Sequence, residues 1–96
     1  MNILITYDVN IISEGGKKRL RKIAKECENF GIRVQNSVFE CEISNAKWVT
    51  VKDRLLGIID KEKDSLRFYY IGDKSSKRVE HYGSKDIIDV SEPVII

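Results

Sequence analysis

The chain opens on an apolar, β-branched run, Asn2-Ile3-Leu4-Ile5-Thr6-Tyr7-Asp8-Val9, which predicts a strand that closes on a carboxylate. Asn10 to Gly16 is polar and glycine-containing, the composition of a loop. A helix follows: Leu20, Ile23, Ala24, Cys27 and Phe30 recur at helical spacing on one face, Lys17, Lys18, Arg21, Lys22 and Lys25 occupy the others, and Gly31 supplies a left-handed residue to end it. Arg33 to Ile43 reads as one long strand, with Phe39, Cys41 and Ile43 on one side and Val38, Glu40 and Glu42 on the other. Ser44 or Asn45 can cap a second helix whose apolar positions Trp48, Val51, Leu55 and Ile59 fall at intervals of three and four. Lys61-Glu62-Lys63-Asp64 solvates its end, and the strand period resumes in Leu66-Arg67-Phe68-Tyr69-Tyr70-Ile71.

That order, β-α-β-(β)-α-β, is the pattern of an α+β, ferredoxin-like sheet with both helices on one face. It requires a third strand inside residues 33 to 44, as a hairpin or a bend whose turn the sequence does not place. Val79-Glu80-His81-Tyr82 predicts one further short strand, and Pro93-Val94-Ile95-Ile96 ends the chain. Proline lacks the ladder N–H and so sits at strand starts and edges, while three aliphatic residues are costly to leave in water. Residues 79–96 are therefore expected to form a C-terminal strand segment that pairs with a partner subunit, the alternative being a tail folded over its own sheet.

A chain of 96 residues buries only about 60 to 70% of its unfolded surface, so a single domain, residues 1–96, is expected, and homodimerisation would help to stabilise it. No apolar stretch approaches the ~18 to 20 residues of a membrane helix. The N-terminus shows neither a basic n-region nor a cleavage motif, and the expectation is a cytoplasmic protein with no membrane partner. Cys27 and Cys41 fall on the apolar sides of their elements without the neighbours a zinc site needs, which predicts buried free thiols. The net charge of +2 is local: residues 1–33 hold seven Lys/Arg against four Asp/Glu, and residues 34–96 hold ten against eleven.

The chemistry concentrates in the same third of the chain. An apolar strand that ends in Asp8 presents that acid at a sheet edge, where it can ligate a metal. Magnesium takes one or two carboxylates plus waters, so one Asp from each subunit of a dimer would complete a site. Alternatively Asp8 caps the following loop through its own backbone. In Gly15-Gly16-Lys17-Lys18-Arg19-Leu20-Arg21, four cations stand at a helix N-terminus and oppose the helix dipole, a conflict that a bound phosphate would relieve. The bland reading of Lys17, Lys18, Arg19 and Arg21 is a solvated helix face. Arg33 either joins this surface or pairs with Glu26 or Glu28. Tyr7 and Phe39 flank the acid as stacking platforms for bases or as core residues. His81 has no acid or nucleophile fixed near it, and Trp48 is expected in the core.

Tyr7-Asp8-Val9, the basic helix start Gly15 to Lys22, Arg33-Val34-Gln35-Asn36-Ser37-Val38-Phe39-Glu40 and Lys63-Asp64-Ser65-Leu66-Arg67 stand in an order and spacing that resembles the small ferredoxin-like nuclease subunit of the CRISPR adaptation machinery. The resemblance covers essentially the whole chain. It implies a homodimer whose two sheets face each other, with each C-terminal strand joining the partner's sheet. It also implies that Asp8 meets its dyad mate across the interface and binds Mg²⁺ or Mn²⁺. The activity implied is a metal-dependent endonuclease on RNA or DNA, acting in spacer acquisition with the integrase subunit. The alternative within the family is a non-catalytic scaffold that holds a short duplex for that integrase. Ser37 lies within the matching motif, as a supporting site residue or as a hydrogen-bonding group of the dimer interface. A third reading sets the resemblance aside for a ferredoxin-like regulatory domain, since the fold hosts many functions.

Overall fold

The computed structural model of the protein describes residues 1–72 and 78–84. Its elements run β1 (Asn2–Asp8), α1 (Gly16–Phe30), β2 (Gly31–Gln35), β3 (Val38–Glu42), α2 (Asn45–Ile58), β4 (Ser65–Ile71) and β5 (Val79–Gly83). The strands form one antiparallel sheet in the order β2-β3-β1-β4-β5. The first four strands and the two helices make the expected ferredoxin-like unit, and β5 adds an outer strand beside β4.

β1 occupies the centre because every second side chain is apolar. Ile3, Ile5 and Tyr7 are buried towards the helices, while Leu4, Thr6 and Asp8 take the other face. In register, Ile5 lies between Phe39 and Phe68, and Ile3 between Cys41 and Tyr70. Over this layer α1 places Ile23 and Cys27, and α2 places Trp48, Val51 and Leu55. Burying each such aliphatic or aromatic side chain is worth about 1.5–3 kcal/mol. Trp48 meets Phe68 edge-on at 4.8 Å between ring centroids. Both cysteines are buried free thiols, and burial pushes Cys27 up to about 12, which leaves it unreactive at neutral pH.

The structure departs from the sequence reading at Gly31 and Asp64, places the hairpin turn that the sequence left open, and describes the first part of the C-terminal segment. The long strand expected over Arg33 to Ile43 is the end of one hairpin arm and all of the next, with Asn36 and Ser37 as the turn and a register shift between Arg33 and Gln35. Gly31 ends α1 but is not left-handed: at φ −146° it is extended and begins β2. Its smallness serves a close approach, since a Cβ there would sit 2.6 Å from the Glu40 carbonyl oxygen. Asp64 does not solvate the end of α2 but is fully buried. Val79–Gly83 pairs with β4 of its own chain, and residues 85–96, with the aliphatic ending, lie outside the described residues. Ser44 caps α2 as expected, its Oγ accepting from the Lys47 N–H at 3.2 Å. Among the described residues no helix is long and apolar enough to cross a membrane.

Candidate metal and nucleic-acid site

The alternation of β1 puts Asp8 on the helix-free face of the sheet, exposed, opposite Ser65 of β4. Among the described residues its carboxylate enters no salt bridge. No group of three or more His, Cys, Asp or Glu side chains gathers for a metal among the described residues. Asp8 is thus an exposed oxygen donor that belongs to no such group among the described residues. That donor suits Mg²⁺ or Mn²⁺, which are held by one or two carboxylates and keep waters.

Beyond Asp8 the chain makes a tight loop. Asn10 Oδ1 accepts from the N–H groups of Ile12 (3.1 Å) and Ser13 (3.2 Å), and Ser13 Oγ donates to the Asn10 carbonyl at 2.7 Å. Gly15, at φ 78°, turns the chain into α1 with no side-chain cap, and the first helical turn holds no acid. Gly16 is buried where a Cβ would come within 2.1 Å of the Asn10 carbonyl oxygen. The glycine pair thus answers to the turn and to close packing of the helix start against the loop.

Of the four cations at this helix start, Lys17, Lys18 and Arg21 are exposed. Arg19 is spent inside the protein. Its Nε donates to Asp64 Oδ2 at 2.7 Å and its Nη2 to Asp64 Oδ1 at 3.2 Å, with further bonds to Ser13 Oγ (2.8 Å) and the Glu14 carbonyl (3.0 Å). Burial opposes charge on Asp64, yet Arg19 and the backbone N–H groups of Asp60 and Asn10 outweigh it and hold the carboxyl below its usual range. Ile11 and Ile12 stand exposed on the same loop.

Arg33 is aimed elsewhere. It pairs with Glu28 at 3.0 Å, donates to the Asn36 carbonyl and lies 4.7 Å over the Phe39 ring, on the helix side of the sheet rather than the Asp8 side. Tyr7 and Phe39 are core residues stacked at 6.2 Å, so neither ring is open to a base. The Tyr7 hydroxyl donates to the Asn36 carbonyl at 3.3 Å, and its N–H to the Ser37 carbonyl at 3.1 Å, so Ser37 braces β1 through its backbone. His81 gives Nε2–H to the Ser84 carbonyl at 2.8 Å, which leaves Nδ1 to accept from Arg67 Nε at 3.3 Å. Both histidine nitrogens are occupied. Arg67, buried on the helix-free face, also reaches the Tyr69 hydroxyl at 3.3 Å.

Sequence reasoning missed Asp64 and Arg67. Asp64 sits in a charge run that looks solvated, and its signals were its place in the Lys63-to-Arg67 stretch of the family resemblance and a dipole conflict at Arg19 that any anion could answer. Arg67 ends the same stretch, but an Arg within a strand is ordinary on an exposed face.

Residues 1–79 match the family described as CRISPR associated protein Cas2. The chain is 53% identical to the CRISPR-associated endonuclease Cas2 of Halalkalibacterium halodurans, over 99% of this chain and 99% of that one. It is 51% identical to the CRISPR-associated endoribonuclease Cas2 of Nitratidesulfovibrio vulgaris, over 100% of this chain and 94% of that one. The crystal structure of Streptococcus pyogenes Cas2 superposes with a TM-score of 0.70 at 54% identity, covering 75% of this chain and 87% of that one.

Proposed function

The chain belongs to the CRISPR-associated Cas2 family, and from that premise we propose that it is a metal-dependent endonuclease of CRISPR defence, acting in the cytoplasm as a homodimer on RNA or DNA. The observation that carries this reading is Asp8: an exposed carboxylate on the helix-free face, directly followed by a rigid loop and by the exposed cations Lys17, Lys18 and Arg21. Two chains with these faces opposed would bring two Asp8 carboxylates together, a pair that could hold one Mg²⁺ or Mn²⁺. The bound ion would lower the pKa of a water and neutralise charge developing on the phosphodiester. Asp8 would hold the ion. Lys17, Lys18 and Arg21 hold the flanking phosphates, their charges uncompensated by any acid in the first turn of α1. Arg19 belongs to the frame of the site.

The integrase subunit and a role in spacer acquisition follow from the family resemblance. The scaffold reading is favoured by one observation: among the described residues no group of three or more potential metal ligands gathers in a single chain, and His81 is tied on both nitrogens. Titration of Mg²⁺ and Mn²⁺ against labelled RNA and duplex DNA, with Asp8→Asn alongside, separates the two. The enzyme reading expects metal-dependent cleavage that Asp8→Asn loses while binding persists. Tight duplex binding without cleavage by either protein supports the scaffold, and equal cleavage by both places the chemistry elsewhere.

A further inference from the structure

We propose that Asp64 is the positioning residue of this site: a buried carboxylate that ties the strand end bearing Asp8, the loop after it and the first turn of α1 into one rigid unit. The assignment rests on the metal reading above. Asp64 is 0% exposed and immediately precedes Ser65, the register partner of Asp8. Its Oδ1 accepts from the Asn10 N–H at 3.0 Å, two residues beyond Asp8, and from Arg19 Nη2 at 3.2 Å. Its Oδ2 accepts from Arg19 Nε at 2.7 Å and from the Asp60 N–H at 2.8 Å. Its backbone carbonyl takes the Ser84 N–H at 2.8 Å, where the chain leaves β5.

Arg19 extends the grip. It stands in α1 between Lys18 and Arg21, and its remaining donors hold Ser13 and Glu14 of the loop. One carboxylate therefore fixes the backbone on the far side of Asp8 and, through one guanidinium, the platform that carries the exposed cations. A buried ion pair contributes little net stability compared with apolar packing of the same volume, so stability alone is a weak reason for this arrangement. Geometry is a stronger one: a ligand displaced by about 1 Å can cost about 100-fold in rate, and a partner that orients a metal ligand is worth about 10- to 100-fold in affinity.

The test measures Mn²⁺ binding to the intact homodimer by electron paramagnetic resonance, with amide hydrogen exchange of Ile11, Ile12 and Ser13 as a second readout. Asp64→Asn keeps the volume but removes the charge that holds Arg19. Arg19→Lys keeps the charge but loses the two-pronged contact. Val51→Ala, in the core under α2, lowers stability without touching the loop. The expected result is Mn²⁺ binding weakened about 10-fold or more in Asp64→Asn and less in Arg19→Lys, with faster exchange in the loop, and wild-type affinity in Val51→Ala. Should Asp64→Asn fail to fold, Arg19→Lys against Val51→Ala carries the same comparison. Unchanged affinity in the pair variants, or an equal loss in Val51→Ala, would reduce Asp64 to a stabilising group and overturn the assignment. Wild-type protein that takes up no Mn²⁺ through Asp8 would instead overturn the metal reading, and this assignment with it.

Discussion

Gly16 and Gly57 are both helical, and replacing each by alanine should move stability in opposite directions. In a helix interior alanine is favoured over glycine by about 0.8–1.0 kcal/mol, and somewhat less near the ends. At Gly57, exposed near the end of α2, an added Cβ meets nothing within 4 Å. Gly57→Ala should therefore stabilise by about 0.5 kcal/mol, raising Tm by about 2–4 °C for a domain of this size. At Gly16 the same Cβ would lie 2.1 Å from the Asn10 carbonyl oxygen and 2.7 Å from the Ile11 Cα. Ordinary C···O contacts begin at about 3.3 Å, so backbone has to yield by about 1 Å. No flexible side chain is there to absorb the shift. Overpacking of this kind costs about 1–3 kcal/mol and exceeds the small propensity gain at a first helical position, so Tm should fall by at least about 4 °C. Urea and thermal denaturation at one fixed protein concentration measure both variants, since the Tm of the proposed dimer would depend on concentration. Gly16→Ala should also lose more Mn²⁺-dependent cleavage than its unfolded fraction explains, because the displaced segment follows Asp8. Stability of Gly16→Ala equal to or above wild type would refute the close-packing argument.

Three further outcomes are expected. Tyr70→Phe removes the acceptor of the buried Trp48 Nε1–H (3.0 Å) and a donor to Glu80 (2.7 Å), and should cost about 1–3 kcal/mol by urea unfolding. A change within about 0.5 kcal/mol would show that the hydrogen-bond chain from Trp48 through Tyr70 and Glu80 to Lys52, whose Nζ lies 2.7 Å from Glu80, is not needed. Asp64 and Glu80 both titrate below the usual carboxylate range in spite of burial, which works the other way: Arg19 with two backbone N–H groups outweighs it at Asp64, and Lys52 with Tyr70 at Glu80. The unfolded chain takes up these protons first, so their stabilisation is fully present above about pH 5 and is lost as pH falls through the folded values. The urea midpoint should drop below about pH 5, more shallowly in Asp64→Asn, and an identical profile for the two proteins would contradict this. Replacing Lys17, Lys18 and Arg21 by Ala should flatten the salt dependence of duplex DNA binding by about 0.9 in logarithmic slope per lost phosphate contact, whereas Arg19→Lys should leave the slope unchanged. An unaltered slope in the triple variant would place the phosphate contacts elsewhere.

Much of the fold was legible because each element has one dominant period. Ile23 and Cys27 of α1, Trp48, Val51 and Leu55 of α2, and Phe39 and Cys41 of β3 are buried where their spacing put them. The turn at Asn36 and Ser37 was not legible, since it lacks glycine and the alternation beyond it reads back smoothly into Arg33. Gly31 shows why one letter misleads. Glycine serves positive φ and close approach alike, and only the Glu40 carbonyl beside it tells which. Within the site, Asp8 was legible as an acid ending an apolar strand. Arg19 was grouped with its basic neighbours because its distinguishing partner, Asp64, lies 45 residues away in sequence. Buried ion pairs between distant segments leave no local pattern, and so a charge run that includes Asp64 looked like solvent-facing surface.

In the proposed function two Asp8 carboxylates, one from each chain, share one divalent ion. A titration of the purified protein with Mn²⁺, read by electron paramagnetic resonance against chain concentration, tests it most directly. One ion bound per two chains, abolished by Asp8→Asn in a protein that remains dimeric by light scattering, is the predicted result. One ion per chain, or the same uptake by Asp8→Asn, would contradict it.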